Sequence, residues 1–169
     1  FNATSQNTTL WNYVFNTMTC AQPGAGTLNF STVQGTTSSH GAFMRTWQYF
    51  PLTNTAPMAI EFYGGMMISP LVSGEVFLAG IGLPSAAVTR PTDGVWFRLT
   101  TAGLEGILAF NGTEYATGVL LPFSSIILDE MAKYTIVIGE SEVEFWVNDV
   151  FVGETDIPAG NAVPFLGVS

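Results

Sequence analysis

Apolar and polar side chains alternate with a period of two through most of this chain, and that rhythm fits strands rather than helices. In 142–147, Glu-Val-Glu-Phe-Trp-Val, an extended backbone puts Glu142, Glu144 and Trp146 on one face and Val143, Phe145 and Val147 on the other. Similar runs, rich in Val, Ile, Phe, Tyr, Trp and Thr, recur from end to end. They predict strands over 10–15, 27–33, 42–50, 58–66, 75–83, 93–100, 104–111, 114–120, 133–139, 142–148 and 150–155, with a last apolar piece at 163–168.

Turn residues separate these runs. Pro23-Gly24, Gly64-Gly65, Pro91-Thr92-Asp93-Gly94, Ala102-Gly103, Asn111-Gly112 and Asn148-Asp149 each interrupt the pattern. Asn-Gly favours a type I′ turn, whose two central residues both need positive φ. Hairpins are therefore expected across 111–112 and across 148–149. One helical turn is expected over 124–132, capped by Ser124-Ser125. Strands at this spacing without crossover helices predict an all-β chain, folded as an antiparallel two-sheet sandwich. Its 169 residues suit a single domain, with the polar residues 1–9 as an extended N-terminal arm.

Charge narrows the functional classes. Charged residues make up 10% of the chain, against roughly 25% in an average soluble protein. A surface so poor in charge suits a protein that works against neighbours. The formal net charge is −9, with only four basic residues. No Lys/Arg cluster is present to neutralise phosphates, so nucleic acid is not the expected partner. No apolar run reaches the roughly 18–20 residues of a membrane helix, so no insertion in a membrane is expected. No signal peptide is legible, and Phe1 in place of Met suggests a processed chain or the start of an internal stretch.

Cofactor and nucleophile chemistry finds few residues. Cys20 and His40 stand alone of their kinds, too few for a zinc site or a Cys-His or Ser-His-Asp system. Cys20 is expected as a small buried hydrophobe. Asp93, Asn148 and Asp149 have the oxygens that calcium takes, but no Asp-x-Asn-x-Asp loop surrounds them, and turn duty is the expectation. No cofactor or metal is expected. The sequons at Asn2, Asn7, Asn29 and Asn111 are expected by chance in a chain so rich in Asn, Ser and Thr.

From residue 91 onward the chain resembles a known group. "PTDGVWFRLTTAGLEGILAFNGTE", followed by "YTIVIGESEVEFWVNDVFVGE", is similar to bacteriophage virion structural proteins with a concanavalin A-like lectin/glucanase jelly roll. The order of elements from Trp11 to about Met66, through "GAFMRTWQYFP" and "PMAIEFYGGM", is similar too. Laminin-G-like and sugar-binding jelly rolls share the last hairpin. The resemblance implies a concanavalin A-like sandwich at the virion surface, displayed on capsid or tail. It implies contacts with other virion proteins and a homo-oligomer such as a trimer. It supplies no catalytic residue.

The enzymes of that superfold use Glu-x-Asp-x-x-Glu or Glu-x-Asp-x-Glu on one strand, and the nearest match here is Glu140-Ser-Glu142-Val-Glu144. Same-face neighbours lie about 6.5–7 Å apart at Cα, a spacing that would permit a retaining glycosidase pair. The central Asp is missing, and a charged outer face opposite a buried one is the ordinary pattern of a sandwich strand. Solvated carboxylates are the expectation and a non-enzymatic role follows.

Binding residues are the remaining candidates. Arg45 and Trp47 share a face of strand 42–50, Trp96 and Arg98 a face of strand 93–100, and Glu144 and Trp146 a face of strand 142–148. Three readings stand side by side. Trp, Tyr and Arg are enriched at protein–protein hot spots. Trp rings with Arg and Glu can also hold a surface glycan. Or Arg45 and Arg98 pair with Glu61 or Glu144 on neighbouring strands while the tryptophans finish the core.

Overall fold

A computed structural model describes residues 57–64, 71, 73–83, 90–126 and 130–158, together with the backbone of four strands at 11–16, 18–24, 27–32 and 41–46. The chain is all-β. Among the described residues the one helical element is a 3-10 turn at Phe123–Ser125. Contacts group the chain into two compact units, one of Phe1–Phe50, Pro84–Arg90 and Ser169, the other of Pro51–Leu83 and Pro91–Val168.

The first unit holds two antiparallel ribbons. Strand β1 (Trp11–Asn16) pairs with β4 (Gly41–Thr46), and β2 (Met18–Gly24) pairs with β3 (Thr27–Thr32). Strand β2 was not among the expected strands, because Pro23 and Gly24 carry a turn signal. They lie at its end, where the register shifts between Ala21 and Gly24. The expected strand 163–168, the arm 1–9 and residues 47–50 of strand 42–50 lie outside the described residues.

The second unit contains two four-stranded antiparallel sheets. Sheet I runs β12 (Val150–Asp156), β11 (Glu142–Val147), β10 (Ala132–Ile138), β5 (Met58–Gly64). Sheet II runs β6 (Phe77–Gly82), β7 (Gly94–Thr100), β8 (Gly103–Phe110), β9 (Thr113–Pro122). Most neighbours in each sheet are consecutive in the chain, so short turns set the register.

Period-two patterning decides which side chains meet between the sheets. Val95, Phe97 and Leu99 of β7 and Leu104 and Leu108 of β8 are buried with Tyr134, Ile136 and Ile138 of β10 and Val143 and Phe145 of β11. The Phe97 ring stands edge-on to Phe145 at 5.2 Å and to Tyr134 at 5.4 Å, and Phe62 of β5 stacks on Tyr134 at 5.3 Å. Burial of each such side chain contributes roughly 1.5–3 kcal/mol. The two sheets therefore form a sandwich with one apolar core.

Both expected hairpins are present, with the φ values a type I′ turn needs. Asn111 and Gly112, at φ 48 and 78, join β8 to β9, and Asn148 and Asp149, at φ 51 and 62, join β11 to β12. The capped helix expected over 124–132 is corrected in its described part. The turn starts at Phe123 after Pro122, makes no side-chain cap, and gives way to extended backbone at Ile126; Ala132 already belongs to β10. Residues 127–129 lie outside the described residues.

Candidate functional site

The six candidate residues do not converge. Trp96 and Arg98 belong to β7 of sheet II, and Glu144 and Trp146 to β11 of sheet I, each pair on the face turned away from the shared core. The sandwich thus holds them on opposite outer faces. Arg45 lies on β4, opposite Asn12, and its side chain is outside the description, as is all of Trp47.

On sheet II the alternation of β7 is as expected, but its second face is buried as well. Trp96 is only 2% exposed and packs with Ile107, Ala109 and Leu78 in a second apolar cluster. Among the described residues its indole Nε1–H has no hydrogen-bond partner, and a buried donor left so costs about 1–3 kcal/mol. Trp96 thus acts as core. Arg98 beside it is clamped by the chain's own carboxylates. Its Nε donates to Glu105 Oε2 at 2.7 Å, and its Nη1 donates to Glu114 Oε2. Burial by itself would lower the guanidinium pKa, but the hydrogen bonds and charges of Glu105 and Glu114 outweigh it and raise the value. The expected partners, Glu61 or Glu144, are not the ones found.

On sheet I the outer face is built by register. Glu142 and Glu144 face Asp156 and Glu154 of β12, and Trp146 faces Phe151. A β-bulge between Phe145 and Trp146 makes this possible. It inserts one residue into β12, so Phe151 lies outside, Gly153 inside opposite Phe145, and Glu154 and Asp156 outside again. Trp146 stands edge-on to Phe151 at 5.4 Å and donates its indole N–H to Glu144 Oε2 at 2.9 Å. Phe151 is 44% exposed. The result is a half-exposed aromatic pair with four carboxylates beyond it on two adjacent strands. Like charges placed directly opposite are mutually destabilising, so this face is not arranged for the stability of the isolated sheet.

The other end of the same face carries an ion-pair hub that was not foreseen. Lys133 Nζ donates to Asp149 Oδ1 at 2.6 Å and pairs with Glu61 Oε1 at 3.0 Å. Those hydrogen bonds, with Asp149 the larger contributor and Glu61 next, raise the lysine pKa. Lys133 N–H also donates to Asn148 Oδ1, and Asn148 N–H donates to the Lys133 carbonyl, at 2.9 and 2.8 Å. The hub ties the β11–β12 turn to β10 and β5.

Concavity lies elsewhere. A cavity of about 200 Å³ opens beside Leu104, Leu121, Ile126, Met131, Tyr134 and Val147, below the roughly 300–1,000 Å³ of small-molecule sites. Neither Trp146 nor the carboxylates of β11 line it. Among the described residues no cluster of His, Cys, Asp and Glu has the grouping to hold a metal ion, and no helix is long and apolar enough to cross a membrane. Comparison of the chain with models of known protein families, with curated proteins and with solved structures gives no match.

Proposed function

We propose that this chain is a non-enzymatic structural component of a bacteriophage virion, a concanavalin A-like jelly roll displayed at the particle surface on capsid or tail. It acts by binding: its sheets form a stiff slab, and outer-face side chains meet copies of itself and other virion proteins. A homotrimer is the assembly this reading favours. The observation that supports it is the outer face of sheet I, where the Trp146–Phe151 pair stands half-exposed beside Glu142, Glu144, Glu154 and Asp156. Aromatic anchors within a polar surround suit a contact surface. The same pair, with Glu144 fixed by the Trp146 indole, favours one second reading, a module that stacks a glycan of the host surface on Trp146. A glycoside hydrolase stands behind both.

Sedimentation of the purified protein and of W146A/F151A separates these readings. The structural reading expects an oligomer that the double substitution dissociates, since one interface anchor is worth about 2 kcal/mol or more, with the far-UV spectrum unchanged. A monomer that binds saccharides on an array, and stops doing so in the double variant, supports the glycan module instead. A monomer that binds neither its own copies, virion proteins nor saccharides through this face sinks both.

A further inference from the structure

The chain contains a single Asn-Gly dipeptide, Asn111-Gly112, at the exposed tip of the β8–β9 hairpin. In a free chain this pair is chemically labile, because glycine leaves its backbone nitrogen unobstructed. Base removes the Gly112 amide proton, and the nitrogen attacks Asn111 Cγ. A C–N bond forms, the Cγ–Nδ2 bond breaks, and ammonia leaves a five-membered succinimide. Water then opens the ring at either carbonyl, giving aspartate or isoaspartate. No oxidant or cofactor is needed.

The loop before β7 reaches across to this turn. Gly112 N–H donates to the Thr92 carbonyl at 2.7 Å, so the nitrogen that would attack has its proton engaged. Asn111 N–H donates to Asp93 Oδ1 at 2.8 Å. The other oxygen of that carboxylate, Oδ2, accepts from Thr92 Oγ1 at 2.7 Å. Asp93 is itself fixed, since its carbonyl accepts from Leu83 N–H at 2.8 Å, just past β6. Two successive turn amides are thus gripped by two successive loop residues. The type I′ turn needs neither bond, because its own φ values and the strand ladder already close it. We propose that Asn111-Gly112 is a latent deamidation site and that Thr92 and Asp93 form a clamp holding it unreacted. The adduct matters locally: isoaspartate adds a backbone methylene at a residue whose φ of 48 shapes the hairpin.

The test incubates the whole chain in mildly alkaline buffer and follows residue 111 by peptide mass mapping and isoaspartate content. Folded wild-type protein is expected to react at least about tenfold more slowly than the same chain in denaturant. D93A, which removes the carboxylate acceptor, is expected to speed the folded reaction about tenfold, the factor that a hydrogen bond to a charged group is worth. T92V, which removes only the hydroxyl bracing Asp93, should give a smaller rise. Equal rates in folded and denatured wild type would overturn the proposal. So would a D93A protein with a native spectrum that reacts at the wild-type rate. If D93A does not fold, T92V decides, and a rate unchanged from wild type overturns the clamp.

Discussion

Gly106 lacks a side chain at the one place on β8 where the opposite sheet leaves no room for it. A methyl there would begin 2.4 Å from Cδ2 of Phe145, a ring that is wholly buried and braced by Phe97. The contact is between sheets, so the glycine sets how closely they approach. Overpacking of this kind costs roughly 1–3 kcal/mol. G106A is therefore expected to lower the unfolding free energy by that amount, read as a lower denaturant midpoint at unchanged slope, and pairing it with F145L should recover part of the loss in a double-mutant cycle. An additive cycle would show that the two do not meet. Nothing in the sequence around 106 marks this glycine out, since its partner lies 39 positions away. Trp96 teaches the same lesson. Its face was legible from alternation, but its burial on that face stood only as one of three readings, because alternation tells inside from outside only when one side of a sheet meets solvent.

Hairpins carry more of their own information. The turn at Thr101-Ala102 joins β7 to β8 with two residues, which places Glu105 directly opposite Arg98. The turn expected at Ala102-Gly103 lies one residue further along and would have set Ile107 opposite Arg98, so this pair waited on the register. Glu114 could not be read by counting either, because it stands opposite Ala109 on β8 rather than Glu105, and it meets Arg98 only diagonally, from two strands away. The β11–β12 turn shows what a single residue contributes. Asn148 holds positive φ, accepts from Lys133 N–H and donates back to the Lys133 carbonyl. N148A loses the side-chain acceptor and places a β-carbon in a left-handed conformation, and should cost about 1–2 kcal/mol in chemical denaturation. N148G restores the backbone freedom and should recover part of it; equal losses in the two variants would assign the effect to the hydrogen bond alone. The expected helix at 124–132 shows the opposite failure. Two serines before an apolar run give a good local start signal, but Ala132 is drawn into β10, where it faces Gly64 of β5. Ladder bonds to a neighbouring strand outweigh a weak helical preference.

Across the whole molecule charge is sparse, and three of the described residues have a pKa that the fold raises. Tyr134 is raised above its ordinary 10.0 by burial, and Lys133 above its ordinary 10.5 by Asp149 and Glu61. Arg98 is raised as well. Each binds its proton more tightly folded than unfolded, so each contributes stability in full below the unfolded value. That stability is lost as pH rises through the folded value. Denaturant midpoints are expected to stay level for these groups through neutral pH and to fall from about pH 10 upward. Y134F should flatten part of that fall with little effect near neutrality; an unchanged slope would remove Tyr134 from the account. What the sequence determined by itself was the strand class, the two Asn-centred turns and the inward-facing residues of β7 and β11. Those follow from local sterics and a period of two, which operate within a few residues. Tertiary structure alone decided the rest: the bulge that carries Glu154 and Asp156 onto the Trp146 face, the burial of Trp96, the carboxylates that hold Arg98, and the separation of Trp96 and Arg98 from Glu144 and Trp146 onto two opposite faces. Those depend on register and on which sheet packs where, and register is settled by the sum of contacts between strands far apart in the chain.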